Sequence, residues 1–139
     1  MYRKIGISIA VLTAMALTVS IVAAGNAHFV GNPQISTSGG TLTVSGKVAG
    51  LGNIDQIQVD ITADAECVNR GNKNPSASNK TSLAFGDQVP VQNGKANFSL
   101  SGTASFSPDC SPPMRIEFSN VQIIVSDFET GEVLLTFPS

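Results

Sequence analysis

The sequence predicts an all-β fold, an antiparallel immunoglobulin-like β-sandwich of about seven strands behind an N-terminal signal-peptide helix. Three observations point to it. Apolar residues recur at every second position in one stretch after another. Turn-forming Gly, Pro, Asn and Asp fall between those stretches. No sustained helical period occurs downstream of the leader. A small closed barrel is the alternative architecture.

The leader opens with Arg3 and Lys4 and continues as an apolar stretch from Ile5 to Ala24. Gly25 and Ala27 then occupy the −3 and −1 positions of a small-residue cleavage site, which predicts cleavage before His28, with Ala24 as a second candidate position. The chain is accordingly divided into a signal peptide over 1–27 and one sandwich domain over 28–139. An uncleaved anchor is the competing reading, since twenty helical residues span about 30 Å. Gly6, Ser8, Thr13, Thr18 and Ser20 dilute that stretch. No cysteine lies near the cleavage site, which excludes lipid attachment there. The expected address is secreted or extracellular, with no membrane contact after cleavage and a membrane-anchored domain if the leader stays.

The strands follow in order. His28 to Val30 and Ile35 to Ser38 form a first edge strand broken by Asn32-Pro33, because proline cannot donate to a ladder. Leu42, Val44, Gly46 and Val48 share one parity. Ile57, Val59, Ile61, Ala63, Ala65 and Cys67 form the longest apolar face, with Gln56, Gln58, Asp60, Thr62, Asp64 and Glu66 outward. Leu83 with Phe85, and Val89 with Val91, continue the pattern. Ala96, Phe98, Leu100 and Gly102 make the next face, and Met114, Ile116 and Phe118 the one after. The parity then slips to Val121, Ile123 and Val125, which predicts a bulge or tight bend near Ser119-Asn120. Val133, Leu135 and Phe137 form a last inward face after a Glu129–Glu132 turn in which Gly131 can take positive φ.

An even cysteine count in an exported chain reads as a disulfide, Cys67–Cys110. Closing the long stretch between them would contribute roughly 4 kcal/mol in the chain-entropy model. Cys67 ends a strand and Cys110 lies in the turn-rich Ser107–Pro113 segment, so the bridge is expected to pin one end of the sandwich. The polar loop from Val68 to Lys80 leaves that end carrying Arg70, Lys73 and Lys80. These three are the candidate binding residues, suited to an anionic group such as a glycan carboxylate. The bland reading is a solvated loop that the disulfide keeps from fraying.

The start Ala27-His28-Phe29, the Leu42-Thr43-Val44-Ser45-Gly46 strand and the Ala49-Gly50-Leu51-Gly52-Asn53 loop are joined by three later motifs. Those are Cys67-Val68-Asn69-Arg70-Gly71, Asn79-Lys80 and Cys110-Ser111-Pro112-Pro113. Together they resemble a group of small exported bacterial proteins of unknown function, similar in size, with a leader, a β-sandwich and one cysteine pair. The resemblance implies an address and a fold, and carries no activity.

Counting narrows the chemistry. The chain of 139 residues has one histidine, two cysteines and no tryptophan, which excludes multi-histidine metal catalysis and zinc clusters. Its net charge of −2 becomes more acidic once Arg3 and Lys4 leave, so a nucleic-acid partner is not expected. Ser, Thr, Asn and Gln outnumber charged residues in the mature part. Nucleophilic catalysis lacks both a Gly-x-Ser-x-Gly motif and a well-placed base. Outward Asp60, Asp64 and Glu66, with Asp55 nearby, could meet Ca²⁺ only with ligands from another element, and fit better as charges that keep an exposed strand soluble. Asn79-Lys80-Thr81 and Asn97-Phe98-Ser99 match glycosylation sequons, yet the leader has a bacterial form and Phe98 belongs to the core pattern.

The function expected is therefore a secreted non-catalytic module that binds or packs against an extracellular or cell-surface partner and needs no cofactor. The alternative is an exported copper-binding protein. Cleavage before His28 would make it the mature N-terminus, where amine and imidazole together chelate Cu(II). The copper carriers and copper oxygenases that share such a histidine need a second one, which this chain lacks.

Overall fold

A computed structural model describes residues 26–69 and 79–139. Within them run eight strands: β1 (His28–Phe29), β2 (Gln34–Ser38), β3 (Thr41–Ala49), β4 (Gln56–Val68), β5 (Lys80–Pro90), β6 (Ala96–Thr103), β7 (Arg115–Asp127) and β8 (Val133–Phe137). They form two antiparallel sheets packed as a sandwich. In the first, β3 pairs with β6 on one side and with β1 and β2 in succession on the other. The second has the order β5-β4-β7-β8. The leader assigned to 1–27 lies outside the described residues except for Asn26 and Ala27. No described helix is long and apolar enough to cross a membrane.

The alternation read from the sequence is the alternation of burial. Leu42, Val44 and Val48 from β3 meet Ile57, Val59 and Ile61 from β4 and Ile123 and Val125 from β7, all buried in one cluster with Leu51, Val89, Ala96 and Phe98. Two glycines within this pattern make room for aromatic rings. A Cβ at Gly46 would come 2.9 Å from the Phe98 ring, and one at Gly102 would come 2.7 Å from Cε1 of Phe85. Phe85 thus reaches from the second sheet into space that only a missing side chain on β6 leaves open. On the opposite flank the Phe29 and Phe137 rings meet edge to face at 5.9 Å, closing the seam between β1 and β8.

The broken first strand appears as expected, with β1 and β2 sharing one edge of β3 on either side of Asn32-Pro33. The bulge is also where the parity slip places it. Thr62 faces Gln122 and Asp64 faces Ser119, so Asn120 and Val121 together oppose Ala63. Asn120 takes a left-handed φ of 52°, and its Nδ2 donates to Asp64 Oδ2 at 2.8 Å. That extra residue lets Phe118 and Val121 both reach the core side.

The last strand departs from expectation. Leu135 faces Val125 while Val133 faces Ser126, leaving Leu134 as an extra residue. Leu134, Leu135 and Phe137 pack on the core, whereas Val133 is 58% exposed. A second bulge turns Val133 outward. Gly131 has the positive φ assigned to its turn, 74°.

Candidate functional site

Cys67 and Cys110 form the disulfide, with Cα atoms 5.7 Å apart. Cys67 is buried near the C-terminal end of β4, and Cys110 is half-buried between β6 and β7. The bridge sits in a small second cluster, in which Ala65, Cys67, Ala104 and Phe106 are buried and Met114, Ile116 and Phe118 lean on them. Met114 Sδ lies 3.7 Å from Cys67 Sγ. This is a sulfur–sulfur packing contact, because a disulfide sulfur carries no proton. The Ala104 amide donates to the Gly40 carbonyl at 2.9 Å and ties the β2–β3 turn to the same end. A shallow groove of about 380 Å³ runs between Thr37, Gly39 and Gly40 on one side and Cys110, Pro112 and Ile116 on the other.

The candidate binding residues divide at this end. Arg70 and Lys73 lie outside the described residues. Lys80 is exposed at the start of β5, directly opposite Glu66 in the ladder. It borders a shallow depression of about 510 Å³ with Asp64, Glu66, Thr81 and Ser82. The described end of the loop therefore offers one cation beside two carboxylates. Nearby, Arg115 bonds Glu117 through Nε at 2.9 Å and Nη2 at 2.7 Å, an exposed ion pair worth little to stability.

His28 is exposed on β1 opposite Ala49. Its Nδ1–H donates to the Asn26 carbonyl at 2.6 Å. Among the described residues no group of three His, Cys, Asp or Glu side chains converges in a way that could hold a metal ion. The outward carboxylates of β4 have local partners instead. Gln58 Nε2 donates to Asp60 Oδ1 at 3.0 Å, and Asn120 holds Asp64.

The largest concavity among those described lies at the opposite end of the sandwich and was not singled out by sequence reasoning. It is a groove of about 690 Å³ lined by Gly50, Asn53, Asp55, Asn93 and Lys95, among others. Backbone bonds fix its walls: the Leu51 amide donates to Gly94, Val91 to Asp55, and Gln92 and Lys95 to each other. The Gly50-Leu51-Gly52-Asn53 and Asn93-Gly94 turns were the available signal. They read as ordinary connections until the strand order brings them side by side. No protein-family model, curated protein or solved structure matches the chain.

Proposed function

We propose that the chain is an exported, non-catalytic module of immunoglobulin-like type. It binds or packs against a partner at the cell exterior through the end closed by Cys67–Cys110. The observation that carries the reading is that disulfide, which holds the departure of the β4–β5 connection against the β6–β7 segment. Loops presented from a rigid end are where recognition sites concentrate, and disulfides persist in oxidising, extracytoplasmic surroundings. The leader of the sequence supports the same address. The immunoglobulin-like assignment is supported by strand order: β3 and β6 neighbour each other in one sheet, and β4, β7 and β8 run in sequence in the other. That arrangement also suits the group of small exported bacterial proteins whose motifs the chain resembles.

The partner is an anionic surface group, such as a glycan carboxylate, met by Arg70, Lys73 and Lys80, and no cofactor takes part. The test compares the fraction of protein retained on cells between wild type and an Arg70→Ala, Lys73→Ala, Lys80→Ala variant. Retention is expected to fall for the variant. Unchanged retention with an intact fold would sink the proposal.

A further inference from the structure

We infer that the leader is removed between Ala24 and Gly25, so that the exported chain begins at Gly25 and keeps Asn26 and Ala27 as parts of its fold. The inference rests on the reading of the chain as exported. Two small-residue sites stand three residues apart in the sequence: Val22 and Ala24 in the −3 and −1 places of one, Gly25 and Ala27 in those of the other. Both satisfy the peptidase, which reads an extended chain. The role of the intervening residues in the folded molecule separates them.

Ala27 is half-buried against the main core. The Asn26 carbonyl accepts the His28 Nδ1–H bond at 2.6 Å. The Asn26–Ala27 backbone passes directly over Gly50, where any Cβ would come 2.6 Å from the Asn26 carbonyl carbon and 3.1 Å from the Ala27 nitrogen. Gly50 has a φ of +74°, so its own turn already favours glycine. The close approach is a separate demand, and it exists only while residues 26 and 27 are present. Cleavage after Ala27 would strip a side chain from the core, remove the partner of the His28 ring, and put an ammonium on the first ladder residue of β1. Cleavage after Ala24 leaves every one of these contacts in place. It also separates the His28 imidazole from the terminal amine, so the amine–imidazole copper chelate does not form on the mature chain.

The experiment is intact-mass analysis with N-terminal sequencing of the native protein from medium and envelope. A chain beginning at Gly25 is expected. A chain beginning at His28, or one beginning at Met1 and anchored in the membrane, overturns the inference and leaves export standing, whereas a chain beginning at Met1 in the cytosol overturns both. Substitution provides a second reading. Ala24→Tyr is expected to abolish the Gly25 product and Ala27→Tyr to leave it unchanged, and the reverse pattern overturns the inference. Finally, recombinant chains beginning at Gly25 and at His28 are compared by melting. The shorter is expected to melt lower, and equal melting temperatures remove the structural basis.

Discussion

Asn120 and Gly102 show how much of this fold depends on single residues. Asn120 is the left-handed residue of the β7 bulge and also holds Asp64. Asn120→Val places a β-branched residue in that conformation and deletes the bond, and is expected to cost about 2 kcal/mol in urea unfolding. Asn120→Gly keeps the backbone free to adopt the same φ and is expected to cost about half of that. Gly102→Ala pushes a methyl group against the Phe85 ring, with an expected loss of about 1–3 kcal/mol and an unchanged denaturant slope. The bulge was legible in the sequence, since a parity slip between Phe118 and Val121 has no other cheap explanation in a strand. The Phe85–Gly102 fit was not. Each residue reads as an inward position, but which ring fills which gap is decided by how the two sheets dock.

At the level of elements, the disulfide end and the last strand make separate predictions. Removing both cysteines, as Cys67→Ser with Cys110→Ser, is expected to destabilise the protein by roughly 4 kcal/mol, and reduction of the wild type should give the same shift. In β8 the bulge reverses the ranking that alternation alone suggests. Leu134→Ala is expected to cost about 1–2 kcal/mol, while Val133→Ala stays within about 0.5 kcal/mol by the same chemical denaturation. Alternation reports a strand's two faces faithfully only where the strand itself carries no extra residue. In β4, thirteen residues long, it does so up to Cys67. In the five residues of β8, one extra residue is enough to turn Val133 outward. The site was legible to the same limited degree. Cys67 and Cys110 announce themselves by chemistry, but Lys80 beside Glu66 and the groove between Asp55 and Lys95 arise from pairings far apart in the chain.

The whole molecule is two sheets held by a common core and by seams along their flanks. Phe29 and Phe137 close one seam. Phe137→Ala is expected to lower stability by about 2 kcal/mol, read as a lower denaturation midpoint, because it removes half-buried area and the edge-to-face contact together. The chain enters the sandwich at Asn26, beside Gly50, at the end away from Cys67–Cys110. That polarity sets a reach. A strand rises about 3.3 Å per residue, so thirteen residues of β4 put roughly 40 Å between the two ends. On the proposed reading of residues 1–27 as an export leader, a precursor still held by it would turn the entry end toward the bilayer. The disulfide end, where β4 finishes at Val68 and β5 starts at Lys80, would stand outermost, like the tip of a short mast, ahead of the membrane's own headgroups in meeting anything that approaches from outside.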